Sequence, residues 1–264
     1  MEGIIIALTF LLIISIYLFK FIESIWLMLF NRPVYVHFYP FPKKLTPQQS
    51  LFLRKHFPFL SRLSPKERRF FEHRVVRFLN TYEFIPREDL VITDEMKIMV
   101  AGTAIKLTFG LRNYLLKVFD KIILFPSIYY SNANDNWHKG EFNPRMKAIV
   151  FSWEDFMQGF EYSNDNLHLG LHEFAHALHF HGLKSNDASA MVFSDMYVKI
   201  KEYALQPDIF EQLNNSEYFR IYGFTNSFEF IAVLLEHFFE TPDQFQSEFP
   251  ELFQKVRKMI NFRH

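Results

Sequence analysis

The thirteen residues Leu167–His179 read L-H-L-G-L-H-E-F-A-H-A-L-H and set His172, Glu173 and His176 in the spacing H-E-x-x-H. On a helix, side chains four apart lie one above the other on the same face, so this spacing makes sense only if the segment is helical. Leu167, Leu171, Phe174, Ala175 and Leu178 supply the apolar stripe of such a helix, and Gly182 predicts its C-terminal stop. Two neutral imidazoles so placed can share one tetrahedral Zn2+ at about 2.0–2.1 Å, and the intervening carboxylate can reach a water on that ion. The motif therefore predicts metal-assisted hydrolysis.

A catalytic zinc keeps three protein ligands and one open position, so a third ligand is required. His179 lies one turn beyond His176 and drifts from the metal along the helix, and His168 and His181 flank the motif. All three are expected around the ligands or at the surface. The long pattern H-E-x-x-H-x-x-G-x-x-H is excluded, because His179 stands at its Gly position and Gly182 at its last His. Downstream, Tyr222–Phe239 predicts a second helix with Phe228, Ile231, Leu235, Phe238 and Phe239 on its apolar face and Thr225 or Asn226 as cap. Glu229 and Glu236 share one side of it. A carboxylate beside an apolar face is costly unless it meets a cation, which a metal would supply. Glu229 also fits the third position of a capping box on Asn226. Spacing alone leaves Glu229, Glu236 and neither as open alternatives.

The runs F-S-W-E-D-F at Phe151–Phe156, then G-x-x-H-E-F-A-H-A-L, then E-F-x-A-V-x-x-E-x-F-F resemble the Mlc titration factor A family of zinc-dependent peptidases. The likeness covers about Leu60 to the C-terminus. Y-G-x-T-N-x-x-E-F-x-A is also similar to the matching stretch of the anthrax lethal factor catalytic domain. The resemblance implies a zincin-like domain with His172, His176 and Glu229 as ligands, Glu173 as general base and Tyr222 as oxyanion partner. Glu236 then orients a ligand histidine from behind. Family members carry Asp directly after H-A-L, where this chain has His179, a departure that bears on metal affinity. The acidic, Gly-rich loop that follows in the family is replaced by H-F-H-G-L-K-S-N-D, which predicts a different cleft rim. Peptide or protein substrates are implied, and so is a second role, capture of a transcriptional regulator.

The N-terminus carries a separate signal. Gly3–Phe19 is uncharged, and the apolar character resumes after Lys20 and Glu23 as far as Phe30. Seventeen uncharged residues sit at the short end for spanning a hydrocarbon layer of about 30 Å, with Lys20 able to snorkel and Trp26 suited to the interface. No basic stretch precedes the run and no small-x-small site follows it, which argues against a cleaved signal. Lys20, Arg32, Lys43 and Lys44 follow the run, against Glu2 before it. The positive-inside rule thus predicts a single-pass protein with its catalytic domain in the cytoplasm.

The chain divides into an anchor over 1–32, a Pro- and aromatic-rich extended connector over 33–60, and a peptidase domain over 61–264. Ser64-Pro65-Lys66-Glu67 opens a helix, Thr93 to about Leu111 forms a buried one, Asp187–Leu205 another, and a last helix starts at Thr241. Ile122–Phe125 and Ala148–Ser152 read as strands, and Ile149, Val150 and Phe151 are expected to receive an extended substrate by strand addition. The fold class is α+β, mostly helical with a small sheet. With 29 basic and 29 acidic residues there is no electrostatic case for nucleic acid, and without cysteine there is neither a disulfide nor a thiolate site.

Overall fold

The apolar N-terminal run forms one helix, α1 (Glu2–Phe30), which Asn31 ends in the left-handed conformation. Its apolar side chains face outward, and Glu23 is its one buried residue. The computed structural model describes residues 1–131, 135–161, 165–216, 218–219 and 226–263.

The 33–60 segment is not extended throughout. Thr46 accepts from the Gln49 N–H and opens α2 (Pro47–His56), with Pro47 at the first helical position. A proline there loses nothing, because that N–H has no partner within a helix. Leu53 and the flanking Leu45, Phe57 and Leu60 are buried in the main core. Residues 45–60 thus pack into the main core.

The same capping chemistry opens α3 (Pro65–Leu79) at Ser64 and Glu67, with β1 (Glu83–Pro86) following. Thr93 opens α4 (Asp94–Thr108), which is almost wholly buried. Then come β2 (Lys121–Phe125), β3 (Tyr129–Ser131), β4 (Asn136–His138), β5 (Gly140–Asn143) and β6 (Ala148–Ser152). The remaining elements are helices: α5 (Trp153–Glu161), α6 (Leu169–Lys184), α7 (Ala188–Ala204), α8 (Pro207–Asn215), α9 (Ser227–Glu240), α10 (Pro242–Glu248) and α11 (Pro250–Met259). The single last helix expected from Thr241 is two, because Pro250 begins a fresh helix at Phe249.

The main sheet runs β1-β2-β6-β5, parallel except for β5. Alternation along the strands gives it two different faces. Ile122, Leu124, Ile149 and Phe151 enter the large helical core, whereas Ile123, Ala148 and Val150 pack with Tyr129 in a small second cluster. Helix α6 lies against β5 and β6 and is wrapped by α4, α7 and α9. It does not stop at Gly182. A Cβ there would overlap the Phe193 ring on α7, so the glycine lets two helices close instead of ending one.

The connector is fastened by Arg74, whose side chain is fully buried. Its Nη1 donates to the carbonyls of Thr108 and Phe109 at 3.1 and 3.0 Å, Nη2 to Val36 at 3.3 Å, and Nε to the Tyr39 hydroxyl at 2.8 Å. The guanidinium lies 4.2 Å from the Tyr114 ring centroid, so carbonyl dipoles and aromatic faces stabilise its charge. The architecture is α+β, with one helical core on a small mixed sheet.

Candidate metal centre

His172 and His176 project from one face of α6, and their Nε2 atoms are 3.0 Å apart. On α9, Asn226 accepts from the N–H groups of Phe228 and Glu229 and so starts the helix. The Glu229 carboxylate faces the imidazoles, with Oε2 3.3 Å from His172 Nε2 and Oε1 3.4 Å from His176 Nε2. A tetrahedral ion with bonds of about 2.0–2.1 Å needs ligand-to-ligand edges of about 3.3 Å. The two imidazole nitrogens and the Glu229 carboxylate therefore lie close enough together to hold a metal ion, and of the two carboxylates that spacing left open it is Glu229 that faces both imidazoles.

Glu236, two turns further along α9 and buried, sets Oε1 3.5 Å from the His172 Nδ1. A carboxylate behind a ligand imidazole fixes which nitrogen is left to face the metal. Burial opposes a charged His172, yet hydrogen bonds to Glu229 and Glu236 and the nearby Glu173 outweigh it and draw its pKa up to about 10. The site concentrates negative charge around two imidazoles and so favours a cation between them.

Glu173 faces the opposite strand. Its Oε2 accepts from the backbone N–H of Phe142 on β5 at 2.7 Å. Burial raises its pKa, while the two histidines and that N–H pull against the rise. Gly140 allows this close approach: a Cβ there would sit 2.7 Å from Leu169 Cδ1 and 3.0 Å from Glu173 Cγ. Neither Gly140 nor Phe142 stood out in the sequence, because a four-residue strand is too short for alternation to register. The available signal was a lone glycine, Gly140, inside a short run between Trp137 and Phe142, which marks a close backbone approach. Beside Glu173 opens a cleft of about 400 Å³, lined in part by Trp137, Leu167 and Leu169 and by Asp155, which pairs with Lys139 Nζ at 2.7 Å.

Several expected roles change. Ile149, Val150 and Phe151 cannot take a substrate by strand addition, since β6 pairs with β2 on one side and β5 on the other and is buried throughout. The sheet edge beside the metal centre belongs to β5. The three extra histidines are all buried. His168 caps α6 through Nδ1, 3.4 Å from the Leu171 N–H, His181 pairs with Asp187 at 3.0 Å, and His179 packs among aromatic rings. Tyr222 lies outside the described residues.

The chain is similar to known proteins over most of its length. An uncharacterized protein of Synechocystis sp. is 28% identical over 236 residues, 83% of this chain and 85% of that protein. Mlc titration factor A from Yersinia pestis and from Yersinia pseudotuberculosis is 24% identical over 236 residues, covering 79% of this chain and 84% of each relative. Residues 39–261, which span α2 to α11 and include His172, His176 and Glu229, match the glucose-regulated metallo-peptidase M90 family, and the chain belongs to it.

Proposed function

We propose that the chain is a membrane-anchored, zinc-dependent peptidase. The observation that carries this reading is the convergence of His172, His176 and Glu229 at 3.0, 3.3 and 3.4 Å beside Glu173. An all-nitrogen-and-oxygen set of two imidazoles and one carboxylate suits zinc and leaves one position of a tetrahedron open. When bound, zinc supplies a Lewis acid that polarises a peptide carbonyl and acidifies water.

Glu173 takes the proton of the attacking water and returns it to the leaving amine; its raised pKa suits both steps. The Phe142 N–H holds one carboxylate oxygen, which leaves the other to act. Glu236 keeps the His172 ring in register. An extended peptide adds to the outer edge of β5. Tyr222 stabilises the developing oxyanion, a role taken from the family resemblance. Helix α1 is long and apolar enough to cross a bilayer, and the excess of basic residues after it favours a domain on the cytoplasmic side.

The name Mlc titration factor A, borne by relatives, favours a second reading in which this chain captures a regulatory protein. Glu173→Gln separates the two. A peptidase variant keeps its metal, measured by elemental analysis, and loses hydrolysis by about 10²-fold or more. Undiminished turnover overturns the assignment of Glu173, and a cellular function that survives the substitution favours capture.

A further inference from the structure

We propose that the connector returns to the bilayer after α1 leaves it, so that Phe38 and Phe41 seat in the headgroup region of an anionic membrane and hold the domain against it. This rests on reading α1 as a membrane span.

The first observation is where the span must end. Gly3–Ile22 is twenty residues, about 30 Å of helix, which equals the hydrocarbon thickness. The next residue, Glu23, is buried against the domain, and its carboxylate accepts from Arg112 Nη1 at 2.5 Å and Nη2 at 3.0 Å. An ion pair held against the domain is costly to draw into hydrocarbon, which sets the boundary at Glu23. No flexible tether separates anchor from domain.

The second is the path of the chain. Beyond Glu23, α1 continues along the domain to Asn31, whose side-chain amide donates to Asp195 at 2.7 Å. There the chain reverses. Tyr35 comes back to 6.2 Å from the Phe19 ring and lies 4.8 Å beneath the Arg112 guanidinium, and Phe38 follows 6.4 Å from Tyr35. Phe19 belongs to the span, so the connector has climbed back to the membrane level.

The third is what it presents there. Phe38 is 73% and Phe41 92% exposed, an unfavourable state for aromatic rings in water and the preferred one at a lipid interface. Lys20, near the end of the span, and Lys43 and Lys44, just after Phe41, are exposed, whereas the one acid of this part of α1 is neutralised by Arg112. Cationic side chains beside apolar rings match an anionic headgroup layer.

The chain has no cysteine, so single cysteines can be spin-labelled cleanly. The full chain, reconstituted in vesicles of three parts phosphatidylcholine to one part phosphatidylglycerol, is labelled in turn at Phe38→Cys, Phe41→Cys, Ile13→Cys and Val91→Cys. Ile13 reports on the span, and Val91, 79% exposed, lies at the opposite end of α4 from Arg112. Collisions with oxygen exceed those with a nickel chelate at 13, 38 and 41, and the order reverses at 91. Labels at 38 and 41 that behave like 91 while 13 stays in lipid overturn this inference alone. A water-exposed label at 13 overturns the span itself. Labels at 38 and 41 shielded from both reagents indicate a second copy or another protein on this face and also overturn the inference.

Discussion

His179 stacks on Phe228, with ring centroids 4.2 Å apart and planes 28° from parallel, and so ties the helix carrying His172 and His176 to the residue beside Glu229. The ring of Tyr197 closes the other approach at 4.6 Å. His179 is fully buried, and neither ring nitrogen has a hydrogen-bond partner among the described residues. Burial pushes its pKa down to about 4, helped by His176, so it is neutral at physiological pH. Where the family resemblance leads one to expect Asp, this chain has an aromatic brace.

The brace predicts that ring shape matters at 179 and ring nitrogens do not. His179→Phe is expected to retain the fold and the metal. His179→Ala is expected to cost about 2–4 kcal/mol of stability through the cavity it leaves and to weaken metal affinity by letting Phe228 and Glu229 shift. Thermal unfolding and a competition titration with a zinc-binding dye check both. Loss of metal in the Phe variant refutes the brace and returns importance to the nitrogens.

Gly140 is a second position where backbone proximity sets chemistry. Gly140→Ala must displace Leu169 or Glu173, because its Cβ would lie 2.7 and 3.0 Å from them. Its backbone φ is not positive, so the effect is spatial and not conformational. The expected result is unchanged metal content with hydrolysis reduced about tenfold or more, since misplacing a catalytic group by about 1 Å can cost 10²-fold. Equal turnover in the two proteins would show that Glu173 tolerates the shift.

Much of this was legible in the sequence, and the reason is local. The His172–His176 pair, the caps at Ser64, Thr93 and Asn226, and the strands at Ile122 and Ala148 each announce themselves within a few residues. What stayed hidden depends on neighbours distant in sequence. Gly182 has a terminator's identity but a packing role set by Phe193, and α2 was obscured by prolines that sit harmlessly outside its interior. Strand addition at β6 failed because edge or centre is a property of the sheet, and the four residues of β5 that claim the edge carry almost no periodicity.

Asp187 gives the chain a measurable pH dependence. Burial raises its pKa, but hydrogen bonds from His181, Ser185 and the Ala190 N–H outweigh this and hold it at about 2, against about 3.9 in an unfolded chain. A depressed carboxyl stabilises the fold above the unfolded value and loses that stabilisation as pH falls from about 4 through about 2. Allowing for solvent screening, the wild type should exceed Asp187→Asn by about 1 kcal/mol at pH 7. Most of the gap should be gone by about pH 2, and the remainder below it. Acid also releases metal from any histidine site, yet both proteins share that loss, so their difference in denaturant midpoint isolates Asp187. A gap that stays constant down to pH 2 refutes the assignment.

Arg74 predicts how the connector and the domain depend on each other. Its guanidinium serves carbonyls on two sides, Thr108 and Phe109 at the end of α4 and Val36 in the connector, with the Tyr39 hydroxyl between. Arg74→Met fills most of the volume but removes all four of these charge-assisted bonds at once; the Thr108 carbonyl keeps the Leu111 N–H at 2.9 Å, whereas the Val36 carbonyl and the Tyr39 hydroxyl lose the guanidinium, at about 1–3 kcal/mol each where water cannot replace the donor. The expected loss is about 3 kcal/mol or more, seen as a lower urea midpoint. Arg74→Lys should recover only part of it, because an ammonium cannot reproduce the planar fork or its stacking on Tyr114. The metal centre uses none of these atoms, so metal content per folded molecule should not change in either variant. Faster proteolysis between residues 33 and 46 than elsewhere in the Met variant would locate the loosening in the connector, and uniform cleavage would argue instead that Arg74 supports the core alone.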